Sequence, residues 1–249
     1  MALWLCLGLV GGTACFAAEE DPAVTPYRPS VSTPAALSAP GWIEVEAGGQ
    51  RIADSGDKRD SLPFTLKLAL SEDWGVRVGG EAIVHVPGDT SIGDVGIVVK
   101  RRFAIDDSSA FGLELGASFP TADDAAHSGS GKTDININAI YSADLPASLH
   151  TDINVVVTRQ GANEDGVGRT QTLAAAALSG ALNDQWGWVG EFSGTRQSGA
   201  PHTAQFLAAA SFSPAKSITW DFGAARGLTD SSPRWSWFAG ATFLAGRVL

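Results

Sequence analysis

Apolar and polar residues alternate one by one through most of the chain. In residues 62–70 every second residue is apolar, with Thr65 and Lys67 between them, and residues 111–119 repeat this pattern. A period of two places one apolar and one polar face on a β-strand. The alternation therefore predicts an all-β protein.

About twelve such segments follow one another, each roughly 10 to 16 residues long. A tilted membrane strand needs about 9 to 11 residues, so each segment is long enough to cross a bilayer. The predicted strands are residues 41–52, 61–71, 74–85, 92–103, 109–119, 132–143, 148–159, 169–182, 185–196, 202–213, 217–226 and 234–249.

The connections between these segments are alternately short and long. The short ones, such as Asn183-Asp184, are rich in turn residues. The longer ones, such as residues 120–131, carry Gly, Asp, Ser and Pro. Outer-membrane barrels have short periplasmic turns and longer outer loops, so this rhythm predicts a closed antiparallel transmembrane β-barrel of about twelve strands at residues 41–249.

A barrel in lipid turns its apolar face outward and its polar face toward the lumen. By this parity the residues predicted to line the lumen are Glu44, Glu46, Lys67, Arg77, Glu81, Asp94, Lys100, Arg102, Glu114, Asp134, Asp152, Glu191 and Asp221. Both signs of charge occur, so strong ion selectivity is not expected. About twelve strands lie between the filled barrels of about eight and the aqueous channels of about sixteen, which indicates a narrow lumen.

Tryptophan is frequent, with 8 in the chain, and most of them lie near predicted strand ends. Such positions suit interfacial girdles, although aromatic residues also favour strands in general. The girdle candidates are Trp42, Trp74, Trp186, Trp188, Trp220, Trp235 and Trp237.

The first 40 residues differ from the rest. An apolar core at residues 3–10, followed by small residues, predicts a signal peptide at residues 1–18, cleaved after Ala17 or Ala18. No Lys or Arg precedes this core, so one expectation is a true start further upstream. An uncleaved anchor and lipidation at Cys15 are the less favoured alternatives.

Residues 19–40 are rich in proline, lack periodicity and are expected to be extended. Two roles stay open for this periplasmic arm. It either enters the lumen as a partial plug, with Tyr27 and Arg28 contacting lumen charges, or forms a disordered tether.

The net charge and the cysteine content exclude some partners and some covalent chemistry. A net charge of -10 disfavours nucleic acid, which requires a basic surface. Both cysteines, Cys6 and Cys15, lie in the predicted leader, so the mature chain is expected to have no disulfide. No long apolar run follows the leader, so membrane residence is expected as a barrel. Outer-membrane lipid and a small-molecule solute are the predicted partners, without cofactor or metal.

Several segments resemble one known family. They are residues 27–30 (YRPS), 42–48 (WIEVEAG), 92–95 (IGDV), 100–103 (KRRF), 118–121 (SFPT) and 237–243 (WFAGATF). They are similar to the outer-membrane transporter family of Gram-negative bacteria named for the meta-pathway of phenol degradation. The resemblance implies a β-barrel that takes up small solutes, aromatic or hydrophobic compounds among them, and no catalytic residue. Such barrels commonly end in Phe, which the barrel assembly machinery recognises, so Leu249 predicts a weaker assembly signal.

Other classes of protein agree less well with these features of the sequence. A soluble β-domain and a non-conducting structural barrel remain alternatives. An outer-membrane lipid hydrolase needs a serine near a histidine, and His85, His127, His150 and His202 have none at suitable spacing. Calcium at Asp106-Asp107 or Asp123-Asp124 is chemically possible, but solvated charge is the favoured interpretation.

Overall fold

The part of the chain that folds into strands begins at Trp42. The computed structural model describes residues 22–54, 58–122, 131–162 and 164–249. The predicted signal peptide at residues 1–18, Asp123-Asp124 and His127 lie outside these ranges.

Within the described ranges, twelve long strands and one short strand make up the sheet. They are β1 (Trp42–Ala53), β2 (Lys58–Ala69), β3 (Trp74–Val86), β4 (Asp89–Ser91), β5 (Val95–Ala104), β6 (Ser109–Phe119), β7 (Asp134–Leu145), β8 (Leu149–Arg159), β9 (Thr170–Ala181), β10 (Trp186–Gln197), β11 (Thr203–Ala215), β12 (Ile218–Gly227) and β13 (Trp235–Arg247). β4 extends only the end of β3.

The sheet closes on itself. The long strands pair antiparallel in chain order, β13 pairs with β1, and β1 and β3 both pair with β2. Closure gives each of the twelve long strands two neighbours, so the wall has no open edge, while β4 pairs only with β3. The predicted antiparallel barrel of about twelve strands is confirmed.

Alternation along each strand separates the two faces of the wall. Leu66 is 43% exposed on the outside, whereas its neighbour Lys67 is 3% exposed. The outer face carries most of the large apolar side chains, and the buried face carries polar groups. This arrangement is the reverse of a soluble barrel, which buries its apolar face. No helix in the described residues has the length and apolar character needed to cross a membrane.

The two rims differ as the loop rhythm predicts. At one rim, here called the short-turn rim, tight connections follow β2, β5, β7, β9 and β11. The start of β1 and the chain end at Leu249 lie at the same rim. At the other, the long-loop rim, the connections are longer. Trp74, Trp186 and Trp220 are exposed near the short-turn rim, and Trp235 and Trp237 near the long-loop rim.

Two strand starts differ from the sequence prediction by three residues, whereas the other boundaries of the long strands differ by at most two. β2 begins at Lys58 rather than residue 61 and continues through Pro63. The wall accommodates this proline because two residues of β3, Ala82 and Ile83, face the single residue Leu62 in a bulge. β5 begins at Val95 rather than residue 92, because the chain first pairs back on β3 as β4.

Candidate functional site: the barrel interior and the arm

Charged side chains fill the inside of β1 and β2. Lys67 stands opposite Glu44 in the strand pairing, and its Nζ lies 2.5 Å from a carboxylate oxygen of both Glu44 and Glu46. All three side chains are almost completely buried. A buried charge is tolerated only when it is paired and hydrogen-bonded, and this triad meets that condition.

A second cluster lies on β3, β5 and β6. The Glu114 carboxylate is 3.0 Å from Arg77 Nη2 and 3.6 Å from Lys100 Nζ. The side-chain amide of Asn138 on β7 donates a hydrogen bond to the same carboxylate at 3.0 Å. Glu114 and Lys100 stand directly opposite each other in the ladder, so the register itself brings the opposite charges together.

Residues 22–40, here called the arm, lie inside the barrel. The arm starts near the short-turn rim, where the Val24 N–H donates to the Lys216 carbonyl at 2.9 Å. It leaves beside β2, where the Gly41 N–H donates to the Ala69 carbonyl at 2.9 Å. Between these points its backbone passes β12, β10, β8 and β7 in turn.

The wall holds the arm mainly through the arm's backbone N–H groups. The first contacts are from Thr25 to Glu44 at 2.9 Å and from Tyr27 to Glu46 at 2.7 Å. Further along, the acceptors are Glu191, Asn154 and Ser142, reached from Val31 and Ser32, from Thr33 and from Ala35, at 2.7 to 3.1 Å. An extended peptide without its own ladder needs such acceptors when buried, and the wall supplies them.

Tyr27 lies at the centre of the arm. Its ring centroid is 3.9 Å from Lys67 Nζ and 4.4 Å from Lys100 Nζ, within the range of cation–π attraction. Its hydroxyl donates to the Ala36 carbonyl at 2.9 Å and accepts from Lys100 at 3.0 Å. Burial, and secondly the negative charge of Glu114, raise the pKa of the Tyr27 phenol well above its usual value. Tyr27 therefore joins both charged clusters as a neutral phenol.

Arg28 anchors the arm to β12. Its Nε is 3.1 Å from Asp221 on β12, and both side chains are largely buried. The guanidinium lies against Gly48 and Gly240, where an added Cβ would approach Arg28 Nη2 to 2.5 and 2.7 Å. These two glycines leave the space that the guanidinium occupies.

The structure divides the thirteen predicted lumen residues into eight that lie at or near the arm and five that do not. Those that touch the arm are Glu44, Glu46, Lys67, Lys100, Glu191 and Asp221, while Arg77 and Glu114 lie in the cluster around Tyr27. The rest, Glu81, Asp94, Arg102, Asp134 and Asp152, are half-buried and lie away from it.

Four of these remaining residues, all except Arg102, make side-chain contacts outside the arm. Glu81 pairs with Arg59. Asp94 accepts from the Ala122 N–H at 3.0 Å, and Asp134 from the Gly161 N–H at 2.8 Å. These contacts tie loop backbone to the long-loop rim. Asp152, near the short-turn rim, accepts from Ser142 at 2.5 Å.

Sequence reasoning missed three uncharged residues of the site. Asn138, Asn154 and Ser142 are at most 6% exposed and contact Glu114 or the arm. Each occupies the inward parity of its strand, so alternation alone would have identified them if uncharged polar residues had been included.

A cavity of about 450 Å³ remains between the arm and β8–β12 at the short-turn rim. Its lining includes Pro29 and Ser30 of the arm and His150, Asp152 and Ser179 of the wall. The arm therefore occupies only part of the barrel cross-section.

His85, His150 and the candidate calcium turn have other partners. The His150 ring lies between Asp144 at 2.7 Å and Asp152 at 3.2 Å, and the His85 ring contacts the Thr90 hydroxyl at 2.7 Å. The Asp106 carboxylate accepts from the backbone and side chain of Ser108 and from the Ser109 hydroxyl, each at 2.9 Å, so it closes its own turn.

The family described as "Putative MetA-pathway of phenol degradation" matches residues 28–245. The chain belongs to this family. The predicted resemblance is thereby confirmed. The matched range includes Arg28 and the rest of the arm as well as the barrel. A comparison with curated protein sequences gave no match.

Solved outer-membrane barrels share the fold of this family member. The COG4313 outer membrane channel from Pseudomonas putida F1 aligns with a TM-score of 0.67 at 13% identity, over 84% of this chain and 97% of that one. The NanC porin aligns with a TM-score of 0.61 at 10% identity, over 81% and 98%. The CymD monoaromatic hydrocarbon channel aligns with a TM-score of 0.50 at 9% identity, over 85% and 89%. At such identities the likeness shows the fold alone.

Proposed function

We propose that this protein is an outer-membrane channel for passive or facilitated transport of small solutes, with a lumen that the arm partly closes. The observation that carries this proposal is the polar inner face, in which wall carboxylates hold the arm across the interior while a cavity of about 450 Å³ remains beside it. A barrel built only for structure has no need of a polar passage.

Small aromatic compounds with a polar group are the proposed solutes. The family description concerns phenol degradation, and one barrel of the same fold is a channel for monoaromatic hydrocarbons. The hydroxyl and carboxylate groups around the cavity suit the polar end of such a solute. No part of this proposal uses a catalytic step, since the barrels that share the fold are channels and porins.

A non-conducting structural barrel is the second candidate. One observation favours it, because the arm crosses the interior and its central residues are buried, with Tyr27 only 7% exposed and Ala35 not exposed at all. A docked arm of this kind could close the lumen permanently.

Removal of residues 22–39 distinguishes the two candidates. Both the full chain and the deletion variant would be reconstituted in planar bilayers and in liposomes that swell when a solute enters. The channel proposal expects solute flux in the full chain and larger conductance in the variant. Cation preference should also increase, because Glu191 and Asp221 lose their arm partners. If neither protein conducts, the channel proposal is refuted in favour of a structural barrel.

A further inference from the structure

A groove on the outside of the barrel has the features of a lipid site. It has a volume of about 1000 Å³ and lies across β12, β13, β1 and β2 near the long-loop rim. Three small residues at outward positions lie along it: Gly49 stands opposite Ala239, and Ala224 lies diagonally next to Ala239, one outward row nearer the long-loop rim. Phe222 and Trp237, each about half exposed, border this floor. A narrow trough between aromatic side chains fits an acyl chain.

Basic residues stand at the rim end of the same groove. The strand pairing places Arg226, Trp235, Ala53 and Lys58 in one outward row, with Ala224, Trp237, Arg51 and Asp60 in the row below. Of the charged side chains in these two rows, three are basic and one is acidic. This local excess of positive charge contrasts with the net charge of -10 of the whole chain.

Contacts with neighbouring side chains hold Arg51 and Arg226 in place on the outer surface. Arg51 makes two hydrogen bonds to Asp60, at 2.6 and 2.7 Å. Arg226 lies 5.0 Å above the ring of Trp235, which stacks on Trp237 with ring centroids 5.4 Å apart. Lys58 and Arg226 therefore flank a neutral ion pair at the level where a membrane barrel meets lipid headgroups.

We propose that this groove binds a phosphorylated lipid of the leaflet at the long-loop rim. One acyl chain lies along Ala224, Ala239 and Gly49, and the phosphate contacts Lys58 and Arg226. Phosphate is the headgroup that basic side chains bind through charge-assisted hydrogen bonds. The site lies on the outer wall, so it does not depend on transport through the lumen.

The test uses the purified full chain in detergent with diphosphoryl lipid A as the probe, and native mass spectrometry counts bound lipid. Replacing both basic residues, as Lys58→Gln with Arg226→Gln, should weaken retention of the probe about tenfold or more, since a hydrogen bond to a charged group contributes about 1.5 to 3 kcal/mol. Arg101→Gln is the matched control, because Arg101 also lies over aromatic rings, those of Trp74 and Phe103, but near the short-turn rim.

A second variant tests the acyl-chain groove without disturbing the fold. A Cβ at Gly49 would meet nothing within 4 Å, so Gly49→Leu directs its side chain from an open position into the trough and should reduce probe binding. Gly190→Leu is its control, since a Cβ there makes only ordinary contacts with Phe206. Binding that survives both the double variant and Gly49→Leu would overturn the proposal. Equal binding of fully dephosphorylated lipid A would also overturn it.

Discussion

Glu191 offers the sharpest test of how the arm is held. It is fully buried on β10, and its carboxylate accepts from the Val31 N–H at 3.1 Å, the Ser32 N–H at 2.7 Å and the Ser32 hydroxyl at 2.5 Å. In Glu191→Gln an NH2 group replaces one of the two carboxylate oxygens, and this group cannot accept a hydrogen bond. At least one arm N–H then loses a charged acceptor, which costs about 1.5 to 3 kcal/mol. The ratio of released to docked arm should therefore rise about tenfold to a hundredfold.

Cysteine labelling measures this ratio directly. The chain has only two cysteines, both in the predicted leader, so Thr33→Cys introduces one reporter at a buried arm position. A water-soluble maleimide should label this reporter about tenfold to a hundredfold faster when Glu191→Gln is also present, in line with the larger released fraction. Larger channel openings should accompany the faster labelling in planar bilayers.

Glu72→Gln is the matched control, because Glu72 is exposed in the β2–β3 turn and lies outside the arm contacts. It should leave the labelling rate unchanged. If Glu191→Gln also leaves both the rate and the conductance unchanged, the carboxylate does not hold the arm and the reasoning is wrong.

Three further variants test other contacts. Lys67→Met leaves two buried carboxylates without their ammonium group and should lower the free energy of unfolding by about 3 to 5 kcal/mol in urea titrations followed by gel mobility, whereas Lys67→Arg should lose less. Gly240→Val places a side chain where Arg28 lies, with its Cβ 2.7 Å from the guanidinium, and should raise conductance; Gly49→Val, with open space around it, should not. Asp106→Ala should lower the unfolding midpoint at pH 7. Hydrogen bonds from Ser108 and Ser109 lower the pKa of Asp106, so its stabilising effect is present above the unfolded pKa of about 3.9 and disappears in more acidic solution; a deficit that persists at pH 2 would contradict this assignment.

Most of the wall could be predicted from the sequence. Strand periodicity depends on neighbouring residues alone, and the lipid-facing side demands apolar residues at every second position, so the twelve long strands are recognisable. The start of β2 was missed because its first residues, Lys58, Arg59 and Asp60, are all charged and show no alternation of apolar and polar positions, so they resemble the preceding loop. The short β4 was missed because its residues Asp89–Ser91 carry no alternation and pair only with the end of β3.

From the sequence, the arm could be predicted as an extended segment that either enters the lumen or forms a tether, but its docking positions on the wall could not be predicted. Its prolines exclude a regular strand or helix, but nothing local indicates which wall residues accept its N–H groups. Those acceptors lie far away in the chain, since Thr33 and Asn154 are 121 residues apart and Arg28 and Asp221 are 193 apart. Contacts of this kind depend on the register of the closed barrel, which no short stretch of sequence contains.

The pairing of charges in the structure changes what the predicted lumen residues imply about ion selectivity. From parity alone, both signs of charge indicated a passage without strong ion selectivity. Among the nearly buried wall residues around the arm, the acids Glu44, Glu46, Glu114, Glu191 and Asp221 outnumber the bases Lys67 and Lys100. The arm compensates this excess with the Arg28 guanidinium and with backbone N–H groups, which solvate the carboxylates without adding charge. The acidic excess of the wall is therefore what binds the arm, and the charge that a solute meets depends on whether the arm is docked.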